Sequence, residues 1–162
     1  FRVEYIESFI GVSKKEAPSA AKEEGKPAAA AGAAAEARSD REAVYQAAYK
    51  TFKEGKYAQS REEFTKFLKQ YPKGEYSDNA QFWIGECYYL EGNYEKAILE
   101  YEKVIKNFPK GGKNPDAMLK QGLAFQKLGD KQSAKLIFQQ VTKKYPSSNQ
   151  AKIAKAKLKE IK

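Results

Sequence analysis

From about residue 41 to the C-terminus, apolar side chains recur at spacings of three and four, in stretches of about 14 residues that end at a glycine or at an aromatic–proline pair. That spacing predicts a succession of amphipathic helices of about four turns each. The pattern itself repeats. Gly55, Gly92 and Gly129 stand 37 residues apart, and so do Tyr71-Pro72, Phe108-Pro109 and Tyr145-Pro146. The same step relates Ala43, Ala80, Ala117 and Ala154; Phe64, Tyr101 and Phe138; and Phe67, Val104 and Val141. Agreement among independent columns in one register marks a structural repeat.

Each period divides at its glycine, which suits the left-handed position that ends a helix. The second helix then runs into the aromatic and stops at Pro72, Pro109 or Pro146, because proline cannot continue it. In Asn114-Pro115 the pattern places an N-cap followed by proline at the first helical position. Small residues at Ala48, Gly85 and Gly122 on the first helices, and at Ser60, Ala97 and Ala134 on the second, predict close helix crossings. Phe64, Tyr101 and Phe138 are expected to fill the space between neighbouring hairpins. The expected fold is all-α: a solenoid of three helical hairpins (41–77, 78–114, 115–147) with a capping helix over 148–162.

Upstream the pattern changes. Phe1, Tyr5, Ile6, Phe9 and Ile10 trace one face of a helix over 1–12, read either as the end of a longer amphipathic or coiled-coil helix or as a tail without fixed structure. Residues 13–39 are rich in Ala, Lys, Glu and Pro and hold no large apolar side chain, so they read as a flexible linker with transient helix in the alanines. The string Ser39-Asp40-Arg41-Glu42 has the form of a capping box opening the folded domain, 40–162. The chain starts at Phe1 rather than Met, so a preceding segment is expected.

Composition narrows the chemistry. There is no histidine, which removes Ser–His and Cys–His pairs and the usual zinc ligands. Gly111-Gly112-Lys113 is followed by Asn114 and lacks the glycine spacing of a phosphate loop. We therefore expect no catalytic residues, no metal, no cofactor and no small-molecule substrate. The single cysteine, Cys87, lies on an apolar helix and reads as buried. Charge is uneven: residues 40–102 carry a net −3 and residues 103–162 a net +12. That basic end reads first as a solvated face, with an anionic envelope surface, an acidic partner or nucleic acid as alternatives. Nucleic acid is the least favoured, because exposed aromatics and arginines are not interleaved with the lysines.

The columns resemble the tetratricopeptide repeat, most fully in Trp83, Gly85, Tyr88, Gly92, Tyr94, Ala97, Tyr101 and Pro109. The first repeat departs at Ala48, Thr51 and Ser60, and the third at Lys131. More narrowly, FxxFLKQYPKGEYSDNAQFWIGECYYLEGNYEKA and LGDKQSAKLIFQQVTKKYPSSNQAKIAKAKL resemble the C-terminal domain of the YbgF/CpoB family of the Tol-Pal system. That resemblance implies a periplasmic, non-catalytic interaction module. It would bind TolA, work alongside a peptidoglycan synthase in coordinating outer-membrane constriction with wall synthesis at division, and meet the membrane only through partners. It also implies a homotrimer formed through the N-terminal coiled coil of the full-length protein. The alternative resemblance is to another envelope scaffold, the lipoprotein of the outer-membrane protein assembly machine, whose repeats share the YP ending.

In a tetratricopeptide architecture the first helices line a concave groove, with repeat positions 2, 5, 9 and 12 turned into it. Those positions are Glu42, Tyr45, Tyr49 and Phe52, then Asn79, Phe82, Glu86 and Tyr89, then Asp116, Leu119, Leu123 and Gln126. Aromatics among a few carboxylates and amides suit a peptide held by apolar anchors. Repeat domains that grip a terminal carboxylate use Lys and Asn, whereas the matching positions here are Tyr45, Tyr49, Phe82 and Glu86. Acidic C-termini are therefore not the expected ligands.

Overall fold

The computed structural model describes residues 28–161, with side chains from residue 34. The readings for 1–12 and for 13–27 lie outside the described residues. Among the described residues there are seven helices and no strand: α1 Ala28–Lys53, α2 Tyr57–Gln70, α3 Ser77–Leu90, α4 Tyr94–Asn107, α5 Asn114–Lys127, α6 Lys131–Lys144 and α7 Asn149–Glu160. Each packs chiefly on its neighbours in sequence, so α1/α2, α3/α4 and α5/α6 are hairpins stacked in chain order and α7 closes the stack.

One turn is used three times. Gly55, Gly92 and Gly129 have φ of 79°, 79° and 81°, a region that side chains with a Cβ rarely enter. The residue after each glycine donates its N–H to a carbonyl five residues back: Lys56 to Thr51, Asn93 to Tyr88, and Asp130 to Phe125. These bonds satisfy carbonyls left over at the helix end and reverse the chain. At the other end of each hairpin, α2, α4 and α6 stop with Tyr71, Phe108 and Tyr145 as their C-caps, directly before the prolines.

Three local expectations are corrected. The Ser39–Glu42 box caps nothing, because α1 begins at Ala28 and runs through it. The alanine run has the highest intrinsic helix propensity, and joining an existing helix avoids the cost of a new nucleus. Asn114 is not the N-cap of α5, a place taken by Lys113. Its amide instead donates to the carbonyls of Phe108 and Pro109 and ties down the preceding turn. The large aromatics fold back within their own hairpins: a Cβ placed on Gly85 would stand 2.6 Å from Cε1 of Tyr101, and one on Gly122 2.6 Å from Cε1 of Phe138.

The core forms two clusters, one from Tyr45 to Ala117 and one from Met118 to Ala154, with Tyr89 and Ile105 packed against both. Phe64, Phe67, Tyr101 and Phe138 are fully buried, and each contributes about 1.5–3 kcal/mol by leaving water. Ala80, Ala117 and Ala154 are buried, whereas Ala43 in the same column is exposed. No hairpin precedes it among the described residues. In the first hairpin the hydroxyl of Ser60 donates to the Ala48 carbonyl across the helix crossing, 2.9 Å away.

Cys87 is fully buried, and burial pushes its thiol up to about 12. In the unfolded chain it titrates near 9, so the stabilisation is complete below about pH 9 and drains away toward pH 12 as only the unfolded thiol ionises. Unfolding followed by fluorescence is expected to show falling stability over that window. Thiol reagents are expected to label Cys87 at neutral pH only through opening of the fold. Rapid labelling of the native protein would contradict the burial.

Candidate functional site: the shared face of the first helices

α1, α3 and α5 lie side by side, and repeat position 6 joins them. That position is Trp83 on α3 and Lys120 on α5, one period apart. Trp83 reaches back to α1, donating Nε1–H to the Tyr45 hydroxyl at 2.7 Å. It also lies 5.0 Å from the Tyr49 ring centre and 4.8 Å from that of Phe52. Lys120 reaches back to α3, its ammonium 2.9 Å from Glu86 and 4.4 Å from the centre of the Tyr89 ring. Glu86 also accepts from the Tyr101 hydroxyl. This triad is interior, with Glu86 4% and Lys120 7% exposed. Burial, with the Glu86 carboxylate beside it, holds the Tyr101 hydroxyl well above the usual tyrosine range, so it stays a donor.

The twelve positions named from the sequence separate by depth. Tyr45, Phe52, Phe82, Glu86, Asp116, Leu119 and Leu123 are buried, with Leu119 fully so. Tyr49, Asn79, Tyr89 and Gln126 are half-buried and Glu42 is exposed. The buried members form the floor. Burial also raises the Tyr45 hydroxyl above its ordinary range. Asp116 accepts from Gln150 of α7 at 2.5 Å and sits 3.6 Å from Lys113. Lys113 in turn lies over the Phe82 ring at 5.2 Å. The surface a partner can reach is therefore narrower than the pattern implied: exposed Glu42 and half-buried Tyr49, Tyr89, Asn79 and Gln126, above a floor whose carboxylates already have partners.

Tyr76, Lys120 and Gln150 are not among the positions expected at the site, and Lys113 is expected only as part of a loop. Tyr76 holds φ at 68°, uncommon for a residue with a side chain, and its ring stacks on Tyr45 at 4.7 Å. The sequence signal for Lys120 is the position-6 column, where a lysine stands one period after Trp83 between apolar Met118, Leu119 and Leu123. Among the described residues, no group of three or more His, Cys, Asp or Glu side chains is arranged to hold a metal ion. No helix among them is long and apolar enough to cross a membrane.

Hairpins stacked in chain order, each turning at a glycine, define a helical-repeat fold of the tetratricopeptide type. The chain belongs to the family described as YfiO, outer membrane lipoprotein, whose model matches residues 37–162. A search of curated proteins gives no match. Among solved structures the chain is similar to PcrH from Pseudomonas aeruginosa, with 18% identity, a TM-score of 0.65, and 76% of this chain and 92% of that one covered. It is also similar to the second repeat domain of human RPAP3, solved with an HSP70 peptide, with 24% identity, a TM-score of 0.59, and 72% and 92% covered. A third is the Yersinia enterocolitica chaperone SycD, solved with a peptide of the translocator YopD, with 17% identity, a TM-score of 0.61, and 74% and 87% covered. At these identities the likeness is one of fold.

Proposed function

We propose that the chain is a periplasmic interaction module of the Tol-Pal type that holds a segment of TolA along the shared face of α1, α3 and α5. The observation that carries the binding mode is the set of half-buried Tyr49, Asn79, Tyr89 and Gln126 on the first helices, above a buried floor. Two tyrosines offer large apolar area at low entropic cost, and two amides offer hydrogen bonds that set register. The choice of TolA rests on the resemblance of the repeat strings to the YbgF/CpoB family. The same resemblance supports a homotrimer through residues upstream of the repeats and a role beside a peptidoglycan synthase at division. Membership of an outer membrane lipoprotein family supports the cell envelope as the setting. With the Lys120 ammonium already taken by Glu86 in the floor and no other cation at the groove positions, terminal carboxylates of acidic peptides are expected to be poor ligands.

Calorimetric titration of the full chain with the central and C-terminal regions of TolA tests this reading. Tyr49→Ala and Tyr89→Ala are each expected to weaken binding about tenfold or more, as truncation of aromatic anchors does, when titrated at a temperature where each variant is fully folded. Absence of binding by a folded chain would refute the Tol-Pal assignment. The family description favours one second reading, a scaffold in outer-membrane protein assembly. Co-purification with the assembly machinery, in the absence of TolA binding, would select it.

A further inference from the structure

The last helix presents charge that nothing in the described structure answers. On α7, Ala151 and Ala154 are buried, and Ile153 and Leu158, with Ile161 just past its end, pack half-buried on the second core cluster. Lys152, Lys155 and Lys159, at steps of three and four, occupy the opposite face and are exposed. Lys143 and Lys144, also exposed, end α6 just before the turn into α7. Among the described residues, no carboxylate lies within ion-pair distance of these five lysines. The acids of this end are committed elsewhere: Asp130 caps α6 through Ser133, and Glu160 pairs with Lys157 at 2.8 Å. A face that is merely solvated usually interleaves both signs, which support each other at three- and four-residue spacing. This one carries a single sign.

We propose that this face docks on an anionic lipid surface. The occupant follows from what the face lacks. It is one side of the last described helix, with exposed Ala156 among the lysines and no aromatic side chain, so among the described residues it offers no apolar anchor to seat a peptide. Its cations are all lysines: compact, hydrated point charges on flexible stems, suited to a plane of headgroup phosphates and unlike the rigid fork that reads one carboxylate. Residues 103–162 contain no arginine, and α7 contains no aromatic, which disfavours a nucleic acid. The cell-envelope setting of the family supplies such a surface. The proposal concerns the outer side of α7 and does not depend on what the first helices bind.

Co-sedimentation of the full chain with vesicles tests it. Wild-type protein is expected to partition onto phosphatidylglycerol/phosphatidylcholine vesicles at low salt, to be released at high salt, and to ignore pure phosphatidylcholine. K152E/K155E/K159E is expected to lose about tenfold or more in partitioning, and K152Q/K155Q/K159Q to lose less in the same direction, both with unchanged helical circular dichroism. K66E/K69E/K73E, with the same charge change near α2, is expected to keep most of the binding. Three results would overturn the proposal. One is no binding to anionic vesicles. Another is equal loss in the two charge-reversed triples, which would leave only net charge. The third is a polyglutamate peptide that binds α7 as tightly as the vesicles do, which would point to an acidic protein partner.

Discussion

Gly85→Leu is expected to destabilise the domain by about 3 kcal/mol or more, in the upper range for overpacking. The nearest atoms to an added Cβ are Cε1 and Cδ1 of Tyr101, at 2.6 and 2.8 Å. That ring cannot swing aside, because it is fully buried and its hydroxyl is held by Glu86. Replacing a helical glycine recovers about 1 kcal/mol of backbone entropy, too little to offset the clash. A midpoint drop of about 10 °C is expected. Gly112→Ala, where the new methyl group meets nothing within 4 Å, is the neutral control. An unchanged thermal transition in Gly85→Leu would mean that the α3–α4 crossing is misplaced.

Lys120→Met is expected to cost about 3–5 kcal/mol, the usual penalty for leaving a buried carboxylate without its partner. Glu86 would keep the Tyr101 hydroxyl but lose the Lys120 ammonium, at a site where both side chains are under 10% exposed. Because the pair links α3 to α5, the loss falls on stacking between hairpins and not on any one helix. Lys120→Met combined with Glu86→Gln is expected to recover at least half of the loss, since the uncompensated charge is gone. Chemical denaturation of the two variants measures the difference. Equal stability of the single and double variants would show that the pair carries no net charge coupling.

The period of 37 residues made the helices, their turns and their order legible, because each turn has a chemical requirement that the sequence shows directly. Gly55, Gly92 and Gly129 supply positive φ, and the prolines end the second helices. Structure is not legible in the sequence where no single residue type is required. The Ser39–Glu42 string has the form of a cap, but an alanine run upstream can extend a helix through any such string. Asn114 could cap either way, and only the position of the Phe108–Pro109 turn decides that its amide turns backward.

The candidate site was legible as a face and not as a depth. Positions 2, 5, 9 and 12 name one side of a helix, whereas burial depends on what the next hairpin places against it. Trp83 covers Tyr45, and Lys120 covers Glu86. Both come from position 6, which a template of outward positions leaves out. The floor of the face is thus built by the neighbour's side chains, and the repeat as an isolated unit holds no trace of it.

Chemical-shift mapping on the isotopically labelled full chain, titrated with the TolA region that binds in calorimetry, tests the central claim most directly. Shifts are expected to concentrate on α1, α3 and α5, strongest around Tyr49, Asn79, Tyr89 and Gln126, with α2, α4 and α6 little changed. Shifts confined to the second helices, with Tyr49 and Tyr89 silent, would contradict it.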